Sequence, residues 1–288
     1  MSRLILATAV LAGLLLPGRA SADETFHACR GFVTSTPAII DAQGVWCLDR
    51  DLSTSATSGP AILITTNNVT LDCNGFKLGN LGAGPGTVSI GVSAVDRMNI
   101  TVRGCNIRGF AGAILLEGGS GHVVEDNRVD AARVFGIGIS GSSTARRNQI
   151  IDTGGTTSFP SPVAYAILFD GSAEVEDNLI DGFVAPPAMP GFSPVAISGE
   201  DAGFSRIVRN TIRNMTVVDP AANPAVGIQA AGRGTLVADN IVGGAGADTG
   251  YGIECGVPGW TVVRDNVVSL FPVPVSPACV ASGNESLP

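Results

Sequence analysis

The sequence predicts an all-β chain that folds as a single parallel β-solenoid of about eight coils, and two observations lead to this prediction. Short segments that end in asparagine recur along the chain, as in VEDN at 124–127 and again at 175–178. Glycine is abundant, with 38 residues, whereas aromatic residues make up only 5% of the chain. A chain rich in Gly, Val, Ile, Asn and Asp favours short strands and turns over helices.

The repeat has an uneven period of 21 to 32 residues and is marked by eight asparagines: Asn74, Asn106, Asn127, Asn148, Asn178, Asn210, Asn240 and Asn266. Between them a second short strand recurs, as in AILLE from Ala113 and AILFD from Ala166. Such self-similarity is typical of a β-solenoid, while leucine-rich repeats and propeller blades have other patterns and lengths. The shortest unit, 21 residues, fits one coil, and stacked coils lie about 4.8 Å apart.

The repeated asparagine is predicted to form a ladder inside the solenoid. Equivalent residues of stacked coils lie above one another, so each side-chain amide can bond to the next coil. The residue before the asparagine alternates in charge, from Asp126 to Arg147 to Asp177 to Arg209. Opposite charges on neighbouring coils favour cross-strand ion pairs, which oppose slips of register. We therefore interpret these charges as structural.

The first 22 residues are predicted to be a signal peptide. Arg3 precedes an apolar run at 4–16, and Ala20-Ser21-Ala22 is a small-residue cleavage pattern. This run is too short to span a bilayer, and no later stretch is long and apolar enough. We expect residues 23–60 to form an N-terminal cap, residues 61–270 the solenoid and residues 271–288 a C-terminal tail. The protein is expected to be periplasmic or secreted after cleavage near Ala22.

Six cysteines in an exported chain indicate disulfides. The asparagine alignment puts Cys73 and Cys105 at the same position of adjacent coils, within bonding distance. Two further pairs are predicted at the ends, one to close the cap and one to tie down the tail: Cys29–Cys47 and Cys255–Cys279.

The charge of the chain excludes some partners. Without the signal peptide, 25 acidic residues face 15 basic ones, a net charge of −10. Such a surface repels nucleic acid and anionic lipid. It also disfavours polyanionic sugars, unless Ca²⁺ bridges the charges.

A family resemblance rests on one stretch in particular. The segments GVWCLDRDL and GPAILITTNNVTLDCNGFKL, within 44–78, and the repeats that follow resemble the right-handed parallel β-helix proteins of the pectate-lyase-like superfamily. The resemblance implies a right-handed helix with a short N-terminal cap. Its function is left open, because this architecture hosts lyases, hydrolases, epimerases, adhesins and accessory proteins.

A site is predicted on the face that carries three expanded loops, at 152–164, 181–194 and 216–225. Insertions stacked on one side of a solenoid often form the wall of a binding groove, although they also cover strands without any function. Strand alternation should turn one isoleucine of each repeat inward. The Gly or Ala before it should then point outward and form a floor: Ala113, Gly136, Ala166, Ala196, Gly227 and Gly252. The same alternation predicts Tyr165 and Tyr251 to point inward.

Carboxylates near this floor form the predicted acidic strip. Asp170 and Glu200 are the candidate catalytic carboxylates, and with Asp201 they are the candidate Ca²⁺ ligands, because Ca²⁺ prefers oxygen donors. Glu117, Gln229 and Glu254 are the candidate substrate-binding residues. In a lyase, Ca²⁺ would neutralise a uronate and an arginine would remove the proton next to its carboxyl group. Arg233 is the first candidate for this base, and two others share its position on sequence grounds: Arg133 and Arg206.

Other observations favour a protein without catalysis. The Gly-His-Gly, paired Asp-Asp and Arg-Ile-Lys patterns of polygalacturonase-like members are missing, and GHV at 121–123 is the nearest approach. The leading hypothesis is a protein that binds or processes a polysaccharide or cell-surface glycan, as a lyase or, through two carboxylates, as a glycoside hydrolase. The alternative is a non-catalytic interaction scaffold.

Overall fold

The computed structural model describes residues 29–158, 163–185, 192–200, 203–215, 224–246 and 250–287. Over these residues the chain forms three parallel β-sheets and one short 3₁₀ helix, Leu81–Ala83. The predicted signal peptide lies outside this part of the chain. No helix among the described residues is long and apolar enough to cross a membrane.

We call the three sheets A, B and C. The chain passes through them in the fixed order B, A, C, and one passage through all three completes one coil. In the described ranges, sheet B has ten strands: Ala38–Ile40, Pro60–Ile64, Ile90–Val95, Gly112–Glu117, Phe135–Ser140, Val163–Asp170, Ser193–Glu200, Ala225–Ala230, Gly250–Cys255 and Val273–Val275.

Sheet A has eleven strands in the same part of the chain: Gly31–Val33, Gly44–Leu48, Val69–Asp72, Ile100–Arg103, Val123–Glu125, Ser143–Arg146, Ala173–Glu176, Arg206–Val208, Thr235–Ala238, Thr261–Arg264 and Val280–Ser282. Sheet C, counted likewise, has ten: Leu52–Ser53, Lys77–Gly79, Asn106–Arg108, Arg128–Asp130, Gln149–Gly154, Leu179–Val184, Thr211–Met215, Ile241–Gly244, Val267–Ser269 and Glu285–Leu287. The predicted all-β solenoid is confirmed, and strands before residue 61 and after residue 270 continue the three sheets at each end.

The core is built from stacked columns of branched side chains. The predicted isoleucine column of sheet B is confirmed: Ile114, Ile137, Ile167, Ile197, Ile228 and Ile253 pair in register from coil to coil and are fully buried. Sheets A and C contribute matching columns, for example Val124 and Ile150. Because each coil covers the apolar side chains of the coil below it, burial on stacking stabilises the rod along its whole length.

The asparagine ladder is present between sheets A and C. Each asparagine from Asn127 onward donates its backbone N–H and its side-chain amide to the side-chain oxygen of the next one, over 2.9 to 3.1 Å. The ladder continues to Asn284, which the repeat analysis missed. The residue before each of them has a left-handed backbone, as at Asp126 and Arg147, and this turns the chain sharply from sheet A to sheet C.

Two of the predicted ladder members are not part of it. Asn106 pairs with Arg128 inside sheet C, one residue beyond the turn, and Cys105 occupies the ladder position instead. Asn74 bonds to the Leu48 carbonyl in a longer turn. The turn that contains LDCN has two more residues between its sheet A strand and its sheet C strand than the turn that contains RGCN has. The prediction was wrong here because the asparagines of these two turns do not lie at equivalent positions.

The three predicted disulfides are the ones that the structure contains. Cys73 and Cys105 join adjacent coils with Cα atoms 4.7 Å apart. The other two lie at the ends of the described chain, with Cα distances of 5.8 and 5.4 Å: Cys29–Cys47 and Cys255–Cys279.

The predicted ion pairs between coils are also confirmed. Arg147 contacts both Asp126 and Glu125 of the preceding coil, and Arg209 does the same with Asp177 and Glu176. A hydrogen bond from Arg147 lowers the pKa of Asp126, and one from Arg209 lowers that of Asp177. These charges therefore serve the stacking of the coils, as the sequence indicated.

Candidate functional site

The predicted floor of Gly and Ala does not face outward. Ala113, Ala166 and Ala196 are fully buried. A Cβ atom on Gly136 would lie 2.5 Å from the Ala166 carbonyl oxygen and 2.9 Å from the side chain of Ile150 in sheet C. The column is therefore small because sheet B approaches sheet C closely at this point, inside the solenoid.

An irregularity in the ladder of sheet B explains this correction. Phe135 pairs with Tyr165 and Ile137 with Ile167, but Gly136 and Ala166 lie between these pairs without ladder partners. In each of these strands the small residue and the isoleucine after it consequently both face inward, and the strict alternation of inward and outward side chains is interrupted at the small residue. Tyr165, predicted to point inward, lies with Phe135 in a half-buried outer row, and Tyr251 lies in the same row.

The outer face of sheet B carries a groove of ≈ 760 Å³, which we call the sheet B groove. It crosses four consecutive coils. Its lining is apolar at the centre and acidic along one side: Val95, Asp96, Leu115, Glu117, Gly118, Gly138, Ile139, Ser140, Leu168, Phe169 and Asp170. A cleft with an apolar floor and a few convergent polar groups is the usual form of a ligand site.

The acidic side follows from the register of the strands. Glu117 pairs with Val95, and Asp170 pairs with Ser140, so these residues share one outward position on successive coils. Asp96 directly follows Val95 in the sequence. A Cβ atom built on Gly118 would lie only 2.4 Å from the carboxylate Oδ1 of Asp96. Glycine at 118 therefore leaves room for this third carboxylate at the groove.

The three groove carboxylates differ from those of sheet A. Within the described part of the chain, no ion pair and no side-chain hydrogen bond engages Asp96, Glu117 or Asp170. The acids of sheet A, such as Glu125 and Asp126, are bound by arginines. Three acids without an arginine partner among the described residues thus lie together at the groove.

The centre of the groove offers an apolar surface. Leu115, Gly138 and Leu168 follow the buried isoleucines by one residue and therefore face outward. The ring of Phe135 covers Gly112, where a Cβ atom would lie 2.1 Å from it, and reaches Gly138 as well. The glycines make room for the ring of Phe135 and the side chain of Leu115 to lie close to the sheet, and these side chains form the apolar surface.

His122 supports the groove from behind. It is buried, and its Nε2 lies 3.0 Å from the carbonyl oxygen of Gly118. Burial lowers the pKa of His122, which favours the neutral imidazole. The histidine of the GHV segment therefore braces the turn after Glu117, and it does not face the groove.

The predicted site residues fall into separate places. Asp170 and Glu117 line the groove. Gln229 and Glu254 lie further along sheet B, in a row in which Ser198 donates to Gln229 and Gln229 donates to Glu254. These residues lie on the outer face of sheet B, as the alternation predicted, and among the predicted site residues whose side chains the structure describes, Asp170 and Glu117 share a groove.

The candidate bases lie away from the groove lining. The guanidinium of Arg233 is stacked over Trp260, 5.2 Å from the ring centroid, at the corner between sheets B and A. Arg206 is paired with Glu174. Arg133 has a buried Nε without a hydrogen-bond partner among the described atoms.

The predicted Ca²⁺ site is only partly described. Asp170 pairs with Glu200 across sheet B, but the side chain of Glu200 and the whole of Asp201 lie outside the described residues. Among the residues that are described, no group of three His, Cys, Asp or Glu is placed to hold a metal ion. The Ca²⁺ site therefore stays a prediction.

The expanded loops are also described only in part. Their residues 159–162, 186–191 and 216–223 lie outside the described ranges. In the first loop, Thr157 donates its backbone N–H to the Pro85 carbonyl, and the Ser158 hydroxyl donates to the Gly86 carbonyl. This loop thus lies along the corner between sheets C and B and contacts the loop that follows the 3₁₀ helix.

Sequence reasoning missed Asp96, Leu115 and Leu168 as groove residues. For Leu115 and Leu168 the signal was present, because each lies one residue beyond an isoleucine that was assigned inward, whereas the coil of Asp96 was not assigned. The error lay in treating acidic residues as the only candidates and in placing the floor on the residue before each isoleucine, two positions before the outward residue.

The family model described as right handed beta helix region matches residues 39–182, half of the chain. The chain therefore belongs to the right-handed β-helix family. Among curated proteins none matches the sequence.

The chain is also similar to several solved structures, all at low sequence identity. The lacto-N-biosidase of family GH136 from Eubacterium ramulus is 12% identical, with a TM-score of 0.52 over 89% of this chain and 62% of that one. The tailspike protein of E. coli bacteriophage HK620, in complex with a pentasaccharide, is 12% identical, with a TM-score of 0.49 over 90% of this chain and 55% of the tailspike. The A-module of the mannuronan C-5 epimerase AlgE6 from Azotobacter vinelandii is 13% identical, with a TM-score of 0.43 over 91% and 92% of the two chains. The chain thus spans little more than half of the biosidase and tailspike lengths.

Proposed function

We propose that the sheet B groove binds a polysaccharide chain that runs along the axis of the solenoid. The observation that carries this proposal is the combination of unpaired carboxylates with an apolar floor of Leu115, Gly138 and Leu168 in one groove of ≈ 760 Å³. Sugar rings present hydroxyl groups at their rim and C–H groups on their faces. Carboxylates accept hydrogen bonds from the hydroxyls, and the floor contacts the faces.

Glycosidic hydrolysis is the reaction that this groove supports best. Glu117 and Asp170 share one strand position two coils apart, which separates their Cα atoms by about 10 Å. Side chains of this length bring carboxyl groups within the ~6.5–9.5 Å range of enzymes that invert the anomeric centre. One carboxyl group protonates the leaving oxygen, and the other removes a proton from the attacking water.

A lyase reaction is the second candidate, and the register of Asp170 with Glu200 favours it. Asp170, Glu200 and Asp201 would hold Ca²⁺, which would neutralise the carboxylate of a uronate. An arginine would act as the base and remove the neighbouring proton, and Arg233, the candidate from the sequence, would have to leave its stack on Trp260 to do so. Gln229, Glu254 and Glu117 would bind further sugars of the same chain.

Action outside the cytoplasm is part of the proposal. All six cysteines are in disulfides, which form and persist in oxidising compartments. A glycan at the cell surface or in the periplasm is then within reach. A signal peptide at residues 1–22 would direct this export.

The test compares the parent protein with Glu117→Gln and Asp170→Asn on neutral and uronate polysaccharides. Glu285→Gln, an exposed acid of the last described coil, is the matched control. We expect binding by isothermal titration calorimetry in the parent and release of reducing ends that each groove variant abolishes. A lyase would instead give an unsaturated, ultraviolet-absorbing product only with Ca²⁺ present.

Other results would contradict the proposal. If the parent binds neither class of polymer, the protein is a scaffold and the acids serve solubility. If the groove variants bind and react as the parent does, the site lies elsewhere on the solenoid.

A further inference from the structure

An exposed aromatic strip runs along the corner between sheets B and A, on the opposite side of that corner from the groove. Phe204 is 78% exposed and Trp260 is 38% exposed. Arg233 lies on the coil between them and stacks on Trp260 at 5.2 Å. We call Phe204, Arg233, Gly234 and Trp260 the corner strip.

The strip is continuous from coil to coil. The backbone N–H of Phe204 donates to the Arg233 carbonyl at 2.8 Å, and that of Gly234 donates to the Trp260 carbonyl at 2.9 Å. The ring of Phe204 lies over Gly234, where a Cβ atom would be 3.0 Å from its Cδ1. The two aromatic residues are therefore two coils apart and belong to one surface.

Phe204 gains little from the fold itself. Its φ is +59°, a left-handed conformation that a bulky side chain rarely adopts, and Gly234 on the next coil has φ +74°. Its ring is mostly in solvent, so burial does not offset this cost. The packing of the chain therefore does not require an aromatic ring at this position, and the ring is exposed to a ligand.

Polar groups accompany the rings. A shallow groove of ≈ 280 Å³ leads away from Phe204, with Ser142 and Ser172 along the corner and Glu174 and Arg206 on the outer face of sheet A. Hydroxyls, a carboxylate and a guanidinium thus lie beside an aromatic face. This mixture matches a sugar chain, which has apolar ring faces and a rim of hydroxyls.

The charges of the strip do not favour an anionic ligand. Arg206 pairs with Glu174 at 3.5 Å. The guanidinium of Arg233 stacks on the indole of Trp260 and keeps its charge. A single cation on a chain of net charge −8 does not offset the repulsion of a polyanion, so the ligand that fits this surface is uncharged.

We propose that the corner strip is a second binding surface, for a neutral glycan of β-linked hexopyranoses stacked on Phe204 and Trp260. Coils are about 4.8 Å apart, close to the length of one sugar ring in an extended chain. A ring on Phe204 and the next but one on Trp260 would follow the axis of the solenoid. The surface is independent of the sheet B groove and of whether that groove is catalytic.

Affinity electrophoresis in native gels tests the proposal with three neutral polymers, hydroxyethyl cellulose, mixed-linkage β-glucan and glucomannan. Polygalacturonate is the anionic comparator. We expect at least one neutral polymer to retard the parent, and Phe204→Gly to weaken this binding about tenfold, the effect of losing one stacking contact. Phe204→Trp should restore it.

A matched control is available in the chain. Leu270 is also exposed, at 47%, and also has a left-handed φ, +59°, but it lies away from the strip. Leu270→Gly should leave binding unchanged. A Trp46→Phe variant keeps Trp260 as the sole tryptophan, and its emission should shift to shorter wavelength when cellohexaose is added.

Four results would overturn the proposal. The first is that no neutral polymer retards the parent, and the second is that the parent and Phe204→Gly are retarded equally. The third is that polygalacturonate alone retards the parent. The fourth is that binding is lost only in Glu117→Gln and Asp170→Asn. The last would assign the neutral glycan to the groove. Self-association of the parent that Phe204→Gly abolishes, without glycan binding, would assign the rings to a second copy of the chain.

Discussion

The backbone N–H of Cys105 donates to the side-chain oxygen of Asn127 across 3.0 Å. The Cys73–Cys105 disulfide thus occupies the position where the next asparagine of the ladder would lie. From this point seven asparagines continue to Asn284 without interruption. A covalent bond and a chain of hydrogen bonds therefore fix one edge of the solenoid together, and both act on the turn from sheet A to sheet C.

Asn178→Ala should lower the free energy of unfolding by about 2–4 kcal/mol, because it leaves buried partners without hydrogen bonds. Asn178 accepts from the backbone and the side chain of Asn148 and donates to Ala145 and Asn210. Urea denaturation measures the change.

Asn106→Ala is the control for the ladder prediction. Asn106 lies outside the ladder and bonds the Gly75 carbonyl at an exposed site, so its loss should cost less than about 1 kcal/mol. Equal effects of the two substitutions would mean that position in the ladder does not matter.

The arginines that bridge the coils should make stability depend on pH. Hydrogen bonds from Arg147 and Arg209 lower the pKa values of Asp126 and Asp177 below the usual value. Each acid is then protonated more readily in the unfolded chain, so its contribution is complete above about pH 5 and is lost as pH falls through the lowered pKa. Exposure and salt keep each pair below about 1 kcal/mol.

An Arg147→Gln/Arg209→Gln variant should therefore be less stable than the parent at pH 7, and the difference should shrink below about pH 4. Thermal unfolding at a series of pH values measures it. Arg128→Gln is the control, because Arg128 bonds Gln149 and no acid. A deficit in the double variant that stays constant down to pH 3 would contradict the linkage.

The direction of the Gly and Ala column can be tested directly. A Cβ atom on Gly136 would lie 2.5 Å from a backbone oxygen, which cannot move without shifting the next coil. Gly136→Ala should therefore destabilise the protein by about 1–3 kcal/mol or more, as overpacking does. Gly243, in a strand of sheet C, is the control. A Cβ atom on Gly243 would lie 3.5 Å from its nearest neighbour, so Gly243→Ala should change stability by less than about 0.5 kcal/mol. If Gly136→Ala is tolerated equally well in thermal melts, the column faces outward after all.

The sequence predicted the features that recur along the solenoid, but it missed a local irregularity in the strand pairing of sheet B. The asparagine ladder, the ion pairs and the isoleucine column recur over several successive coils, so their side chains must stack. The irregularity at Gly136 and Ala166 breaks the alternation of sheet B. No sequence pattern marks a residue that lacks a pairing partner on the neighbouring strand. The floor of the sheet B groove lies beyond that irregularity, where alternation resumes and turns Leu115 and Leu168 outward.

The groove carboxylates should cost stability while they serve function. Asp96, Glu117 and Asp170 carry like charges along one side of the groove and have no cationic partner in the described part of the chain. Glu117 and Asp170, two coils apart, are separated by about the screening length of 10 Å at 0.1 M salt, so their repulsion amounts to about a few tenths of a kcal/mol. Glu117→Gln and Asp170→Asn should each raise the melting temperature by about 1 °C, and 1 M salt should remove the gain. Glu285→Gln, outside the groove, should give no gain at either salt concentration. A fall in melting temperature with either groove variant would show that its carboxylate is held by an attractive contact, and such an acid would be a structural group and not the free acid or base that hydrolysis needs.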